Sequence, residues 1–154
     1  MKVAKTPMTT TKDHFSMDIV LRHPSYSPER ISKALSIKPQ LSWSAGQRFG
    51  KRPAKRTSVR TCLQEGDSVA DYAKALRLIV KFVDKNAAFW SDFTASRGEV
   101  ELVLNHTIHQ QDEEGDKCFE IYLAPELLGR ISVRGIGLRV LGLQGKAARR
   151  SAPD

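Results

Sequence analysis

The chain of 154 residues has little of what a disulfide scaffold, a zinc site or a membrane span requires. Its two cysteines, Cys62 and Cys118, are far apart and lack the CxxC spacing of a zinc site, so we expect both to be reduced and structural. No apolar run approaches the ~20 residues that cross a bilayer. Residues 1–13 lack the apolar segment of a secretory signal. We therefore expect one cytoplasmic domain, preceded by a flexible leader at residues 1–13 and followed by a flexible tail at residues 144–154.

The sequence also lacks the motifs of common catalytic, metal and cofactor sites. His106 and His109 fall on a predicted strand, where their odd spacing places them on opposite faces. The acidic run at 112–116 lacks the alternating ligand spacing of a calcium loop. The Gly-x-Gly at 135–137 precedes no helix and is not a dinucleotide fingerprint. We therefore predict no catalytic residue, no metal, no cofactor and a non-enzymatic function.

Acidic residues are almost absent from one stretch of the chain. Residues 22–60 hold ten Lys or Arg and one acid, Glu29. Residues 61–126 carry a net charge of −7, and residues 127–154 carry +5, within an overall charge of +8. The basic excess is therefore local and indicates a surface that meets an anionic partner.

The densest basic run falls in residues 38–56, which show no hydrophobic period and are punctuated by glycine and proline, so we predict a long loop. Basic side chains at such spacing can lie along an anion, with aromatic rings beside them for stacking. The alternative without a ligand is a solvated loop, in which Trp43 covers the edge of the core. The candidate binding residues are Trp43, Arg48, Lys51, Arg52, Lys55, Arg56 and Arg60.

The predicted function is binding in the bacterial cytoplasm, through this loop, to an acidic protein or a small anionic ligand. Nucleic acid is the first alternative partner. No helix-turn-helix, zinc-finger or RNA-binding motif in the sequence supports nucleic-acid binding, and the middle of the chain is acidic. The second alternative is an enzyme with a pocket between the loop and the sheet. No feature indicates a membrane partner.

Hydrophobic periodicity predicts a single α+β domain over residues 14–143. The predicted strands are 14–22, 57–63, 99–108, 117–123 and 136–143. The predicted helices run from 28 to about 37, from about 69 to 97 with an alternative of two helices divided near Asn86, and from 125 to about 134. The order is β-α-β-α-β-β-α-β, and we expect a largely antiparallel five-stranded sheet with the helices packed on one face. If the first and last strands are neighbours, the loop and the basic stretch after Arg130 would share one face.

Residues 27–39 read Ser-Pro-Glu-Arg-Ile-Ser-Lys-Ala-Leu-Ser-Ile-Lys-Pro, and Trp43 and Gly46 follow. This stretch resembles the opening of the bacterial family known as domain of unknown function 4279, and residues 128–140 resemble its closing phrase. The resemblance covers about residues 14–143. Ser36 stands where that family often has glycine. In the strand after the loop, where that family commonly has tryptophan, this chain has Ser58, Val59 and Arg60. The family has no assigned activity, so the resemblance implies a fold and no chemistry.

Overall fold

The computed structural model describes residues 14–108 and 122–144 of the chain. In these residues, four helices accompany one five-stranded sheet and one small hairpin. The elements are β1 (His14–His23), α1 (Pro28–Leu35), β2 (Leu41–Trp43), β3 (Arg48–Phe49), β4 (Arg52–Pro53), β5 (Thr57–Gly66), α2 (Val69–Lys85), α3 (Ala87–Ala95), β6 (Glu99–Ile108), α4 (Pro125–Val133) and β7 (Ile136–Gln144). The predicted α+β class is confirmed.

The sheet is mixed, so the prediction of a largely antiparallel sheet is wrong. Its strand order is β2-β5-β1-β6-β7. β6 and β7 are parallel, whereas the other three pairs are antiparallel. The parallel pair arises because α4 lies between β6 and β7 in the chain, and the last strand begins again beside the start of β6, with Val100 opposite Ile136.

The order of elements differs from the predicted one, because three short strands, β2, β3 and β4, lie between α1 and β5. Of the strand predicted at 117–123, residues 117–121 lie outside the described part of the chain, and residues 122–124 are irregular. β6 separates β1 from β7, so the first and last strands are not neighbours. Arg130 instead pairs with Asp84 of α2. The basic loop and the basic stretch after Arg130 are therefore not brought together by adjacent first and last strands.

The stretch predicted as a loop, residues 38–56, is partly regular. β2 pairs with β5 at the edge of the sheet, and β3 pairs with β4 in a two-residue hairpin. Gly50 lies in the turn of that hairpin with φ of +63°, a conformation that glycine adopts at no steric cost. These strands are two or three residues long, which is too short for an alternating pattern to be recognised.

Both ends of α1 follow from local chemistry. The Ser27 side chain accepts a hydrogen bond from the Arg30 backbone N–H at 3.2 Å, and Pro28 occupies the first turn, as predicted. The helix ends where Ser36 adopts the left-handed conformation, with φ of 52° and ψ of 44°. A residue with a Cβ atom is strained there.

Replacing Ser36 with glycine is expected to raise the free energy of unfolding by about 0.5–1 kcal/mol, because glycine relieves the left-handed strain but loses more backbone entropy on folding. Ala34→Gly, inside the exposed part of the same helix, is the matched control and should lower the free energy of unfolding by about 1 kcal/mol. Urea denaturation of both variants measures the difference. A Ser36→Gly variant less stable than the wild type would contradict this account of the helix end.

The two faces of the sheet differ in character. Along β1, Phe15, Met17, Ile19 and Leu21 are buried in one hydrophobic cluster with side chains from all four helices. Because successive side chains of a strand point to opposite faces, the intervening residues of β1 lie on the other side. We call that side the helix-free face. The prediction that the helices pack on one face therefore holds for the described residues, in which no helix is long and apolar enough to cross a membrane.

Candidate anion-binding cleft

One row of side chains crosses four strands of the helix-free face. Trp43 of β2 lies opposite Ser58 of β5, and Ser58 in turn lies opposite Arg22 of β1. Glu99 of β6 lies on the far side of Arg22. Directly opposed residues of antiparallel strands share a face, with Cβ atoms roughly 5 Å apart. The row therefore brings residues from distant parts of the chain together.

A hairpin stands beside this row and makes a cleft with it. We call residues 44–56 the basic hairpin; Gly46 N–H donates to the Ala54 carbonyl at 2.7 Å, and Ala54 N–H donates to the Gln47 carbonyl at 2.8 Å. Ala45 N–H donates to the Thr57 hydroxyl at 3.0 Å and ties the hairpin to β5. The open cleft has a volume of about 460 Å³. It is lined by Arg22, Trp43, Phe49, Arg52, Ala54, Lys55, Arg56 and Ser58.

Two of the four cations that line the cleft are paired with glutamates of β6. Arg56 Nη1 lies 2.7 Å from Glu99 Oε1, although the pair does not have hydrogen-bond angles. Arg22 Nη1 lies 3.7 Å from Glu101 Oε2. For Arg52 and Lys55, no carboxylate of the described residues lies within ion-pair distance. The cleft therefore has two cations whose charge is not balanced by a neighbouring acid in the described structure.

The aromatic part of the lining is the pair of Trp43 and Phe49. Their ring centroids are 5.5 Å apart and their planes meet at 74°, an edge-to-face arrangement. Phe49 is 55% exposed, and Trp43 is half-buried and packs outside the hydrophobic cluster of the core. Trp43 thus contributes to the wall of the cleft. The alternative interpretation of the sequence placed it over the edge of the core.

Comparison with known proteins bears on the family and not on this cleft. The model of the family described as Domain of unknown function (DUF4279) matches residues 13–142. The chain belongs to this family. Searches of curated proteins and of solved structures found no match to the chain. The expected resemblance is confirmed, and the description of the DUF4279 family assigns no chemistry to any residue.

The seven binding residues predicted from the sequence occupy three different settings in this DUF4279 domain. Trp43, Arg52, Lys55 and Arg56 line the cleft. Arg48 and Lys51 are exposed on the basic hairpin outside that lining. Arg60 lies one row further along β5 and binds Asp18, with its Nη2 2.6 Å from Asp18 Oδ2. Composition and spacing alone could not divide the predicted residues among these settings.

Sequence reasoning missed three groups that shape the cleft, namely Arg22, Glu99 and Glu101. Arg22 and Glu101 were visible as polar positions on alternating strands, and Glu99 begins the predicted third strand. Nothing in the sequence states which strand lies beside which, so their approach to the hairpin could not be derived. The register of β1 with β5 and β6 supplies that information.

A buried polar network lies beside the cleft on the helix-free face. Asp18 is nearly buried and accepts hydrogen bonds from Arg60 Nε at 3.0 Å and from Asn105 Nδ2 at 3.2 Å. Burial, followed by the charges of Asp18 and Glu65, raises the pKa of the Cys62 thiol above its ordinary value. A raised pKa disfavours the thiolate. The network therefore links β1, β5 and β6, and its charge does not favour a reactive Cys62 thiolate.

His23 lies at the end of β1, next to Arg22, and its protonation state follows from its hydrogen bonds. Nδ1 accepts from the backbone N–H groups of Ser25 at 3.0 Å and Tyr26 at 2.9 Å. Nε2 lies 3.0 Å from the Ser96 hydroxyl, which itself donates to the Asp92 carbonyl at 2.7 Å, so Nε2 carries the proton. Burial, Arg30 and Arg56 lower the pKa of His23 below its ordinary value of 6.5.

The described lining of the cleft contains groups that can bind anions. Its described lining consists of guanidinium and ammonium groups, aromatic rings, Ala54 and the Ser58 hydroxyl, with no histidine, cysteine or carboxylate in it. Guanidinium and ammonium groups bind oxyanions by charge-assisted hydrogen bonds. For metals, the described ranges 14–108 and 122–144 contain no group of three His, Cys, Asp or Glu side chains placed to hold an ion.

Proposed function

We propose that this DUF4279 domain is a non-enzymatic binding domain that takes a small anionic ligand into the cleft between the basic hairpin and the helix-free face. The observation that carries the proposal is the pair of cations, Arg52 and Lys55, that no carboxylate of the described residues balances and that share a concave lining with Arg22 and Arg56. Small-molecule sites are typically clefts of about 300–1,000 Å³. The observed volume of about 460 Å³ falls in that range.

The ion pairs with Glu99 and Glu101 also support a ligand that binds at Arg52 and Lys55. Glu99 lies 2.7 Å from Arg56 and partly cancels its charge, whereas Glu101 lies 3.7 Å from Arg22 and is shared with Arg139. A ligand anion therefore meets its strongest uncancelled attraction at the hairpin side of the cleft. On the opposite side, toward β6, the carboxylate of Glu99 disfavours an anion, whereas that of Glu101 is shared with Arg139 of β7, whose Nε lies 2.6 Å from Glu101 Oε1.

A concave lining favours a small ligand over the flat surface of an acidic protein. An acidic protein partner and nucleic acid remain the alternatives that the sequence raised, since single-stranded nucleic acids also bind to cations interleaved with aromatic rings. Binding to a nucleic-acid backbone weakens linearly with the logarithm of salt concentration, with a slope set by the number of neutralised phosphates. A single small anion that contacts two cations gives a shallow slope, so salt dependence separates the two partners.

The double variant Arg52→Ser/Lys55→Ser is expected to weaken the binding of ribose 5-phosphate by at least roughly tenfold, because each lost contact is a charge-assisted hydrogen bond. Isothermal titration calorimetry at low salt measures the affinity. Arg77→Ser/Lys81→Ser is the matched control, since it removes the same two charges from exposed positions of α2. The control should keep wild-type affinity, and all three proteins should melt within a few degrees of one another.

Three results would contradict the proposal. The first is a wild-type protein that does not bind ribose 5-phosphate. The second is equal loss in the control pair, which would show that net charge alone attracts the anion. The third is an oligonucleotide that binds far more tightly than ribose 5-phosphate, with a steep salt slope, which would favour nucleic acid.

A further inference from the structure

The uncompensated charge of the cleft lies beside an aromatic wall. Arg52 and Lys55 share the lining with the rings of Trp43 and Phe49. In the edge-to-face pair that these rings form, one ring presents only its edge to the other. The faces of that ring are not covered by its partner. The cleft thus offers a stacking surface next to an anion-binding pair.

The charge of the cleft matches one phosphate monoester. Arg56 pairs with Glu99, and Arg22 shares Glu101 with Arg139, so Arg52 and Lys55 are the two lining cations that no acid of the described residues approaches. A phosphate monoester carries about −1.5 to −2 at neutral pH. A fully charged ligand of this kind would balance the two cations without disturbing either glutamate pair.

Resting on the function proposed above, we propose that the ligand is a small phosphate monoester that carries a planar ring. Its phosphate binds Arg52 and Lys55, and its ring stacks on the wall formed by Trp43 and Phe49. The two parts of the ligand contribute separately, because the cations and the rings are different side chains. Neither an inorganic anion nor an uncharged ring uses both parts of the cleft.

Three matched probes test this assignment. AMP has the phosphate and a planar base, ribose 5-phosphate has the phosphate without the base, and adenosine has the base without the phosphate. Stacking of one base on an aromatic side chain corresponds to roughly a fivefold to hundredfold gain in affinity. We expect AMP to bind roughly tenfold or more tightly than either of the other two probes, by calorimetry at one fixed salt concentration.

Two aromatic variants locate the ring. Phe49→Leu changes a side chain that is 55% exposed, so the fold should tolerate it, and Trp43→Leu removes the second ring. We expect both variants to lose most of the advantage of AMP over ribose 5-phosphate while their affinity for ribose 5-phosphate stays at the wild-type value. Tyr122→Leu, another exposed aromatic side chain that is absent from the lining of the cleft, is the control. It should keep the full advantage.

The outcomes separate this inference from the proposed function. Equal binding of AMP and ribose 5-phosphate would overturn the planar-ring assignment and leave anion binding intact. Equal binding of AMP and adenosine, without binding of ribose 5-phosphate, would overturn both. An AMP advantage that survives in Trp43→Leu and in Phe49→Leu would also overturn the assignment, because the ring would then stack elsewhere.

Discussion

Trp90→Ala is expected to lower the free energy of unfolding by about 3–5 kcal/mol, the range for loss of a fully buried large aromatic side chain. Trp90 is 0% exposed. Its ring makes edge-to-face contacts with Phe89 at 5.1 Å and Phe82 at 5.9 Å between centroids. Its indole N–H donates to the Val83 carbonyl at 2.8 Å. This side chain therefore joins α2 to α3 across the junction at Asn86.

Two further variants divide that loss into its parts. Trp90→Phe keeps an aromatic ring but removes the hydrogen bond to the Val83 carbonyl, and we expect it to cost about 1–3 kcal/mol. Trp43→Ala, at the half-buried tryptophan of the edge strand, should cost much less than Trp90→Ala. Chemical denaturation monitored by circular dichroism measures all three. A loss under about 1 kcal/mol in Trp90→Ala would contradict the role of Trp90 in the core.

Acid is expected to destabilise the domain through His23. Burial, followed by Arg30 and Arg56, lowers the pKa of His23 in the folded protein below the ordinary value of 6.5 that it has when unfolded. Between these two values the unfolded chain binds more protons than the folded one, so the free energy of unfolding rises with pH by at most about 1.4 kcal/mol per pH unit. The contribution of His23 is complete above about pH 6.5 and is lost as the pH falls below it.

The hydrogen bonds of His23 explain why protonation is unfavourable. A proton on Nδ1 would remove the acceptor of the Ser25 and Tyr26 backbone N–H groups. Denaturation from pH 5 to pH 8 should therefore show an acid-sensitive slope in the wild type that flattens in His23→Asn. A flat wild-type profile, or a slope that survives in His23→Asn, would contradict this assignment.

The same histidine reports on the cleft. Arg56 lines the cleft and contributes to the lowered pKa of His23. A negative ligand near Arg56 offsets that charge, so binding is expected to raise the pKa of His23 in an NMR titration, and by linkage a lower pH favours binding. Acid therefore favours ligand binding but lowers the free energy of unfolding through the same histidine. Affinity and stability measured over the same pH range distinguish the two effects.

Local features of the fold could be derived from the sequence. The start of α1 was predictable because Ser27, Pro28 and Glu29 are adjacent and each satisfies a separate requirement of a helix N-terminus. The division near Asn86, one of two alternatives from the sequence, is confirmed by the separate helices α2 and α3. The long strands were predictable from alternation, which requires only neighbouring positions.

Long-range features could not be derived in the same way. Alternation in β6 and β7 is identical for parallel and antiparallel pairing, so the mixed sheet was not visible. The cleft depends on which strand lies beside which. Arg22 belongs to the first strand, but β1 pairs with both β5 and β6, and that pairing places it among Ser58, Trp43 and Glu99. Of the basic residues, the sequence could not show that Arg60 is bound by Asp18 while Arg52 has no such acid in the described structure.

An NMR titration of the isotope-labelled protein with ribose 5-phosphate tests most directly whether the cleft binds a small anion. We predict saturable shifts at the Trp43 indole, the Arg52 and Arg56 Nε–H groups and the Ser58 amide, with the buried Trp90 indole and the amides of α2 unchanged. Arg52→Ser/Lys55→Ser should abolish these shifts. Shifts that are absent, or that fall on α2 and not on the basic hairpin, would contradict the proposed site.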